Sequence, residues 1–138
     1  MFFRLAILAA GLSTVLAIPT VAERDTAVTI GGTHTGDGTF YAPGLGACGV
    51  FNTASDLIVA IGHDLFDNYP GYTGGNPNNN PVCGRSLTAT YQGKSVTVKV
   101  EDRCTGCNTF DLDFSPAAFD RLAPESVGRI HGVTWHFN

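Results

Sequence analysis

Four cysteines limit this chain's options more than any other feature. Cys48, Cys83, Cys104 and Cys107 all follow a leader-like start, and the last two form a C-x-x-C. An even count in a chain of only 138 residues points to two disulfides, on condition that the protein leaves the reducing cytosol. The N-terminus supplies that condition. "MFFRLAILAAGLSTVLAIPTVA" carries one basic residue, Arg4, then an apolar run from Leu5, then small residues suited to cleavage after Ala17 or Ala22. The run is shorter than the ~20 residues of a membrane span and is interrupted by Gly11, Ser13 and Thr14. Residues 1–22 therefore read as a signal peptide, 23–32 as a flexible N-terminal segment and 33–138 as one domain. Removal of the leader leaves about 115–120 residues, enough for a single core and a monomer secreted to the extracellular space.

The expected pairing is Cys48–Cys83 with Cys104–Cys107. Cys48 and Cys83 each precede a glycine and flank the 50–82 region, whereas the C-x-x-C would staple a turn. The crossed pairing, Cys48–Cys107 with Cys83–Cys104, fits the same spacing. A zinc finger would need a second C-x-x-C or a histidine pair in the usual arrangement, and a thioredoxin-like motif would open a helix. Here Gly106, Asn108 and Thr109 make a turn. No metal and no cofactor are expected.

Charged residues make up 14% of the chain against a usual ~25%, so solubility rests on Gly, Asn, Thr and Ser. The net charge of −4 argues against nucleic acid and anionic membranes as partners. The pattern is mainly β. "THTGDGTFYA" and "DLIVAIG" read as strands, and "HDLFDN" as one helical turn. "SLTATY" and "KSVTVKVED" alternate apolar and polar residues around Gln92-Gly93, a tight-hairpin signal. "DLDF" is a further strand, Ser115-Pro116 caps the helix "PAAFDRLA", and "GRIHGVTWHFN" closes the chain. Short strands, glycine-rich turns and brief helices suggest a closed barrel.

An internal echo supports it. "LIVAIGHDLFDN" (57–68) overlays "FDLDFSPAAFDR" (110–121), with Phe66 on Phe119, Asp67 on Asp120 and Gly62 on Ser115. Two copies of one strand–helix unit imply a pseudo-twofold barrel. Asp113 then lies on Ala60, so one copy carries an acid where the other has a wall residue.

The runs "GDGTFYAPGLGACG", "PVCG", "VEDRCTGC", "DLDFSPAAFDRLA" and "GVTWHF" resemble the double-psi β-barrel of expansins, barwin-like proteins and bacterial rare-lipoprotein-A proteins. Among these the chain is most similar to the single-domain, fungal, expansin-like loosenins. The resemblance implies a six-stranded double-psi β-barrel with two or three short helices and a polysaccharide groove on one face. It also implies that Asp113 of "LDFS" is the acid needed for wall loosening, with Asp102 as its companion and Thr39 and Tyr41 on the groove's first strand.

Glycoside hydrolysis needs two carboxyl groups at a set separation. Asp111 and Asp113, two apart on a strand, should share a face; Asp102 either joins them or braces the 103–109 turn. Asp37, between glycines, reads as a turn residue. Sugar recognition calls for aromatic faces, and Tyr41, with Tyr69 and Tyr72 in the polar loop 66–84, supplies candidates beside Asp111 and Thr39. Trp135, Phe66, Phe110, Phe114 and Phe119 read as core.

The expected function is non-hydrolytic loosening of cell-wall polysaccharide such as cellulose, chitin or a related glycan, with no assured acid/base pair to make the protein an enzyme. One alternative is a glycoside hydrolase or lytic transglycosylase on the same barrel. Another is a secreted cysteine-protease inhibitor or plant-directed effector.

Overall fold

The computed structural model describes residues 28–138, so the expected signal peptide lies outside the described residues. The six strands are β1 (His34–Phe40), β2 (Ile58–Gly62), β3 (Ser86–Tyr91), β4 (Lys94–Cys104), β5 (Leu112–Phe114) and β6 (Ile130–Phe137). Two short helices, α1 (His63–Asp67) and α2 (Pro116–Asp120), follow β2 and β5 directly. The strands close in the order β1-β5-β2-β4-β3-β6. The protein is a mainly β, six-stranded double-psi barrel.

Local chemistry accounts for these elements. In β4, Val96, Val98 and Val100 point inward while Ser95, Thr97 and Lys99 face out, the period-two pattern of a half-buried strand. The β3–β4 hairpin turns at Gln92 and Gly93, with φ of 46° and 78°, as a tight two-residue turn of this kind requires. Ser115 caps α2: its Oγ accepts from the Ala118 amide at 3.3 Å, and Pro116 occupies the first helical position. Inside the barrel Val59, Ile61, Leu87, Leu112, Phe114 and Trp135 are buried. Trp135 donates its indole N–H to the Phe110 carbonyl at 3.0 Å, so its one polar group is satisfied in the core.

The pairing obeys a pseudo-dyad that relates β1, β2, α1, β3 to β4, β5, α2, β6. Its axis passes between β2 and β5, which pair antiparallel as Val59↔Phe114, Ala60↔Asp113 and Ile61↔Leu112. The parallel pairs β1–β5 and β2–β4 are images of each other. Disulfides join Cys48 to Cys83 and Cys104 to Cys107 rather than in the crossed arrangement. The long bridge spans 35 residues, a closure of about 3–4 kcal/mol in the chain-entropy model.

Two expectations need correction. The loop after α1 packs more than its composition suggests: Tyr69 is only 6% exposed and receives a hydrogen bond on its hydroxyl from Arg85. Asn80, also buried, donates to the Phe66 carbonyl at 2.8 Å. A polar loop can enter the core because its asparagine and tyrosine polar atoms find partners there. Asp37, read as a turn residue, lies within β1 and bonds Arg129 (3.0 Å), just before β6, and His131 (2.9 Å) on β6.

Candidate functional site

A row of side chains crosses four adjacent strands on the outer face of the barrel. Register places Thr39 of β1 beside Asp113 of β5, Asp113 beside Ala60 of β2, and Ala60 beside Asp102 of β4. Two strand spacings separate the acids, about 9–10 Å between backbones. The small Ala60, 2% exposed, lies between them. Asp102 reaches this row through a register shift in β4: Val100 faces Val59, but Asp102 faces Ala60, which leaves Glu101 as the extra residue of a bulge. A bulge re-aims the side chains that follow it.

The two acids differ in their surroundings. Among the described residues Asp113 accepts one hydrogen bond, from Thr39 Oγ1 at 2.8 Å. Burial pushes its carboxyl up from the usual aspartate range; the Thr39 bond opposes this, the Asp102 charge adds to it, and Arg129 opposes it again. Asp102 accepts three: from Tyr41 Oη at 3.1 Å, from the Ala47 amide at 2.9 Å and from the Arg103 amide at 2.8 Å. Tyr41 is held protonated, its phenol raised chiefly by burial and then by the Asp102 charge. It therefore stays a donor at any physiological pH.

The Ala47 bond ties the loop 44–52 to the site. Gly46 is packed so closely that an added Cβ would lie 2.5 Å from the Glu101 carbonyl, and the Cys48 amide donates to that same carbonyl at 3.2 Å. The Cys48–Cys83 bridge anchors the loop from beneath. Its tip carries Leu45 and Phe51, bridged to each other and 74% and 73% exposed.

Thr39, Tyr41, Asp102 and Asp113 thus come together. The other candidates do not. Asp111, expected beside Asp113, sits just before β5 with one oxygen on the Asp37 amide (2.9 Å) and the other on the Asn108 amide (3.0 Å). It braces the stapled turn against β1. Tyr69 is core, and Tyr72 packs edge-on against Phe66 with its hydroxyl donating to the Gly75 carbonyl. Sequence reasoning missed Arg129, whose charge acts on Asp113, and the loop tip. The glycine-rich "PGLGACG" that follows the first strand was the available signal for the latter.

A family model described as lytic transglycolase matches residues 73–134. A papain inhibitor of Streptomyces mobaraensis is 39% identical over 113 residues, covering 80% of this chain and 75% of its own. An Asp f 7 allergen homolog of Arthroderma benhamiae is 38% identical over 117 residues; the match takes in 75% of this chain but only 38% of that protein's length. Among solved structures, the Streptomyces papain inhibitor superposes with a TM-score of 0.70 at 40% identity, over 80% of this chain and 97% of that one. An expansin of Clavibacter michiganensis, a D78N mutant in complex with cellohexaose, superposes with a TM-score of 0.60 at 26% identity, over 78% and 50%. The chain belongs to the expansin-like double-psi β-barrel family, which the papain inhibitor shares.

Proposed function

We propose that the row from Thr39 to Asp102 is the floor of a polysaccharide groove, and that the protein binds cell-wall glycan and loosens it without cutting it. The observation that carries this reading is the unequal pair of acids. Asp113 is a half-buried carboxyl that can donate to or accept from a sugar hydroxyl. Asp102 already takes three hydrogen bonds and is poorly placed to activate water. That the expansin of Clavibacter michiganensis is in complex with cellohexaose supports a glycan as the ligand, although this chain spans only 50% of that protein. The leader and the two disulfides fit an extracellular protein. The test is a pull-down against cellulose, chitin, xylan and peptidoglycan, with product analysis of the supernatant and a creep assay on wall material. Retention and creep without released sugar are expected; soluble or reducing sugar would replace this reading with a glycosidase or lytic transglycosylase.

A second reading, inhibition of a cysteine protease, rests on a different part of the molecule. The loop 44–52 is anchored by the Cys48–Cys83 disulfide and closed by the Leu45–Phe51 bridge, and it presents the apolar pair Leu45 and Phe51 to solvent. A preorganised apolar tip loses little entropy on entering a protease cleft. The 39% identity to the papain inhibitor adds weight to it. Titration of papain with the protein decides the matter: stoichiometric loss of activity supports inhibition, and full activity at excess protein removes it.

A further inference from the structure

The loop 44–52 crosses β4 between two neighbouring acids. Ala47 binds the Asp102 side chain, and beside the loop Glu101 opens into a separate groove of about 480 Å³. None of Thr39, Tyr41, Asp102 or Asp113 lines it. Val50, Leu57 and Ile58 give it apolar walls, and Asp56 and Lys99 line it as well.

Glu101 is the anomaly. It is only 9% exposed, yet its carboxyl takes no hydrogen bond among the described residues. Burial pushes its carboxyl up, and the Lys99 charge, felt but too far for an ion pair, pulls it down less. Among the described residues no donor occupies this carboxyl, and its oxygens open onto the groove rather than lying sealed in the core, so it is available to a donor that a ligand brings. Asp56 is different: the Thr53 amide (2.8 Å) and Asn52 (3.3 Å) hold its carboxyl below the usual range, so it is an anion. Two carboxyls against one ammonium leave the groove short of positive charge. Its apolar walls suit a methylene stem better than a hydroxylated ring.

We propose that this groove is a second binding site, which accepts an arginine or lysine side chain of a partner protein with its cationic head on Glu101. The stem lies along Val50, Leu57 and Ile58. A guanidinium would supply the donors that Glu101 lacks and exclude water from the carboxylate.

The test uses the folded full domain with both disulfides and follows amide proton–nitrogen NMR spectra during titration with agmatine, a guanidinium on an alkyl stem. Butanol supplies the stem without the charge, and glucosamine an ammonium on a hydroxylated ring. Agmatine should give saturable shifts centred on Leu57, Val98 and Glu101, and butanol and glucosamine should not. Glu101→Gln, which keeps the shape, should weaken agmatine about tenfold or more, while Lys99→Met, which removes the competing cation, should tighten it. The spectra themselves report whether each variant is folded. Absence of saturation with agmatine would overturn the proposal, as would equal binding of glucosamine or butanol, or an unchanged affinity in folded Glu101→Gln.

Discussion

Thr39 Oγ1 donates to Asp113 Oδ1 at 2.8 Å across the parallel β1–β5 pair, and among the described residues this is the single hydrogen bond that the Asp113 carboxyl receives. The acid is therefore oriented but not saturated, which leaves lone pairs for a ligand. Asp113→Asn keeps the Thr39 contact and the packing. Its melting temperature should stay within a few degrees of the parent, while glycan retention and wall creep fall about tenfold or more. Full activity in a folded Asp113→Asn protein would remove this acid from the site.

Asp111→Asn should behave in the opposite way. Each Asp111 oxygen accepts a backbone N–H, from Asp37 and from Asn108, and an amide can serve only one of them. A loss of about 1–3 kcal/mol in denaturant unfolding is expected, with glycan binding of the folded fraction retained. A stable but inactive variant would mean that Asp111 touches ligand.

Stability should respond to pH through the raised acids. Asp113 and Glu101 both hold protons in the native state that the unfolded chain has already lost. The native state then binds more protons than the unfolded one, so stability from these groups falls as pH rises through the ordinary carboxylate range towards their raised values. The double variant Asp113→Asn, Glu101→Gln removes that slope. Its melting temperature relative to the parent should increase between about pH 4 and pH 7. A difference that is flat with pH would show that neither carboxyl is raised.

Loss of the long bridge should cost more than loss of the short one. Cys48→Ser with Cys83→Ser should destabilise by about 3–4 kcal/mol, whereas Cys104→Ser with Cys107→Ser should cost about 2 kcal/mol, by the chain-entropy difference between 35 and 3 residues of separation. The first pair also releases the loop that reaches Asp102 through Ala47. If that loop carries protease inhibition, the same variant should lose it, as should Leu45→Ala with Phe51→Ala. Equal stabilities of the two disulfide variants would contradict this ranking.

Trp135 packs against Phe137 at 5.2 Å between ring centroids and is 1% exposed. Trp135→Ala should cost about 3–5 kcal/mol in urea unfolding. Tyr41→Phe, which only removes the donor to Asp102, should cost about 0.5–1.5 kcal/mol and weaken glycan binding.

Much of this was legible in the sequence, because it rests on local chemistry and on repetition. The strand alternation in 94–104, the Gln92-Gly93 turn and the Ser115 cap are decided by neighbours a few residues apart. The echo between 57–68 and 110–121 placed Asp113 on Ala60, and in the barrel these two residues face each other across the dyad. What the sequence could not place were groups whose environment is built from distant segments. Tyr69 reads as a loop aromatic, but Arg85 and the core beneath α1 bury it. Asp111 and Asp113 are indistinguishable as a spacing; only the amides of Asp37 and Asn108, brought in by β1 and the stapled turn, make one a brace and leave the other free. The bulge that separates Glu101 from Asp102 likewise exists only in the pairing of β4 with β2. Periodicity and capping are properties of adjacent residues and survive in a one-dimensional string. Burial, hydrogen-bond saturation and register shifts are properties of the partner strand, and only closure of the barrel supplies it.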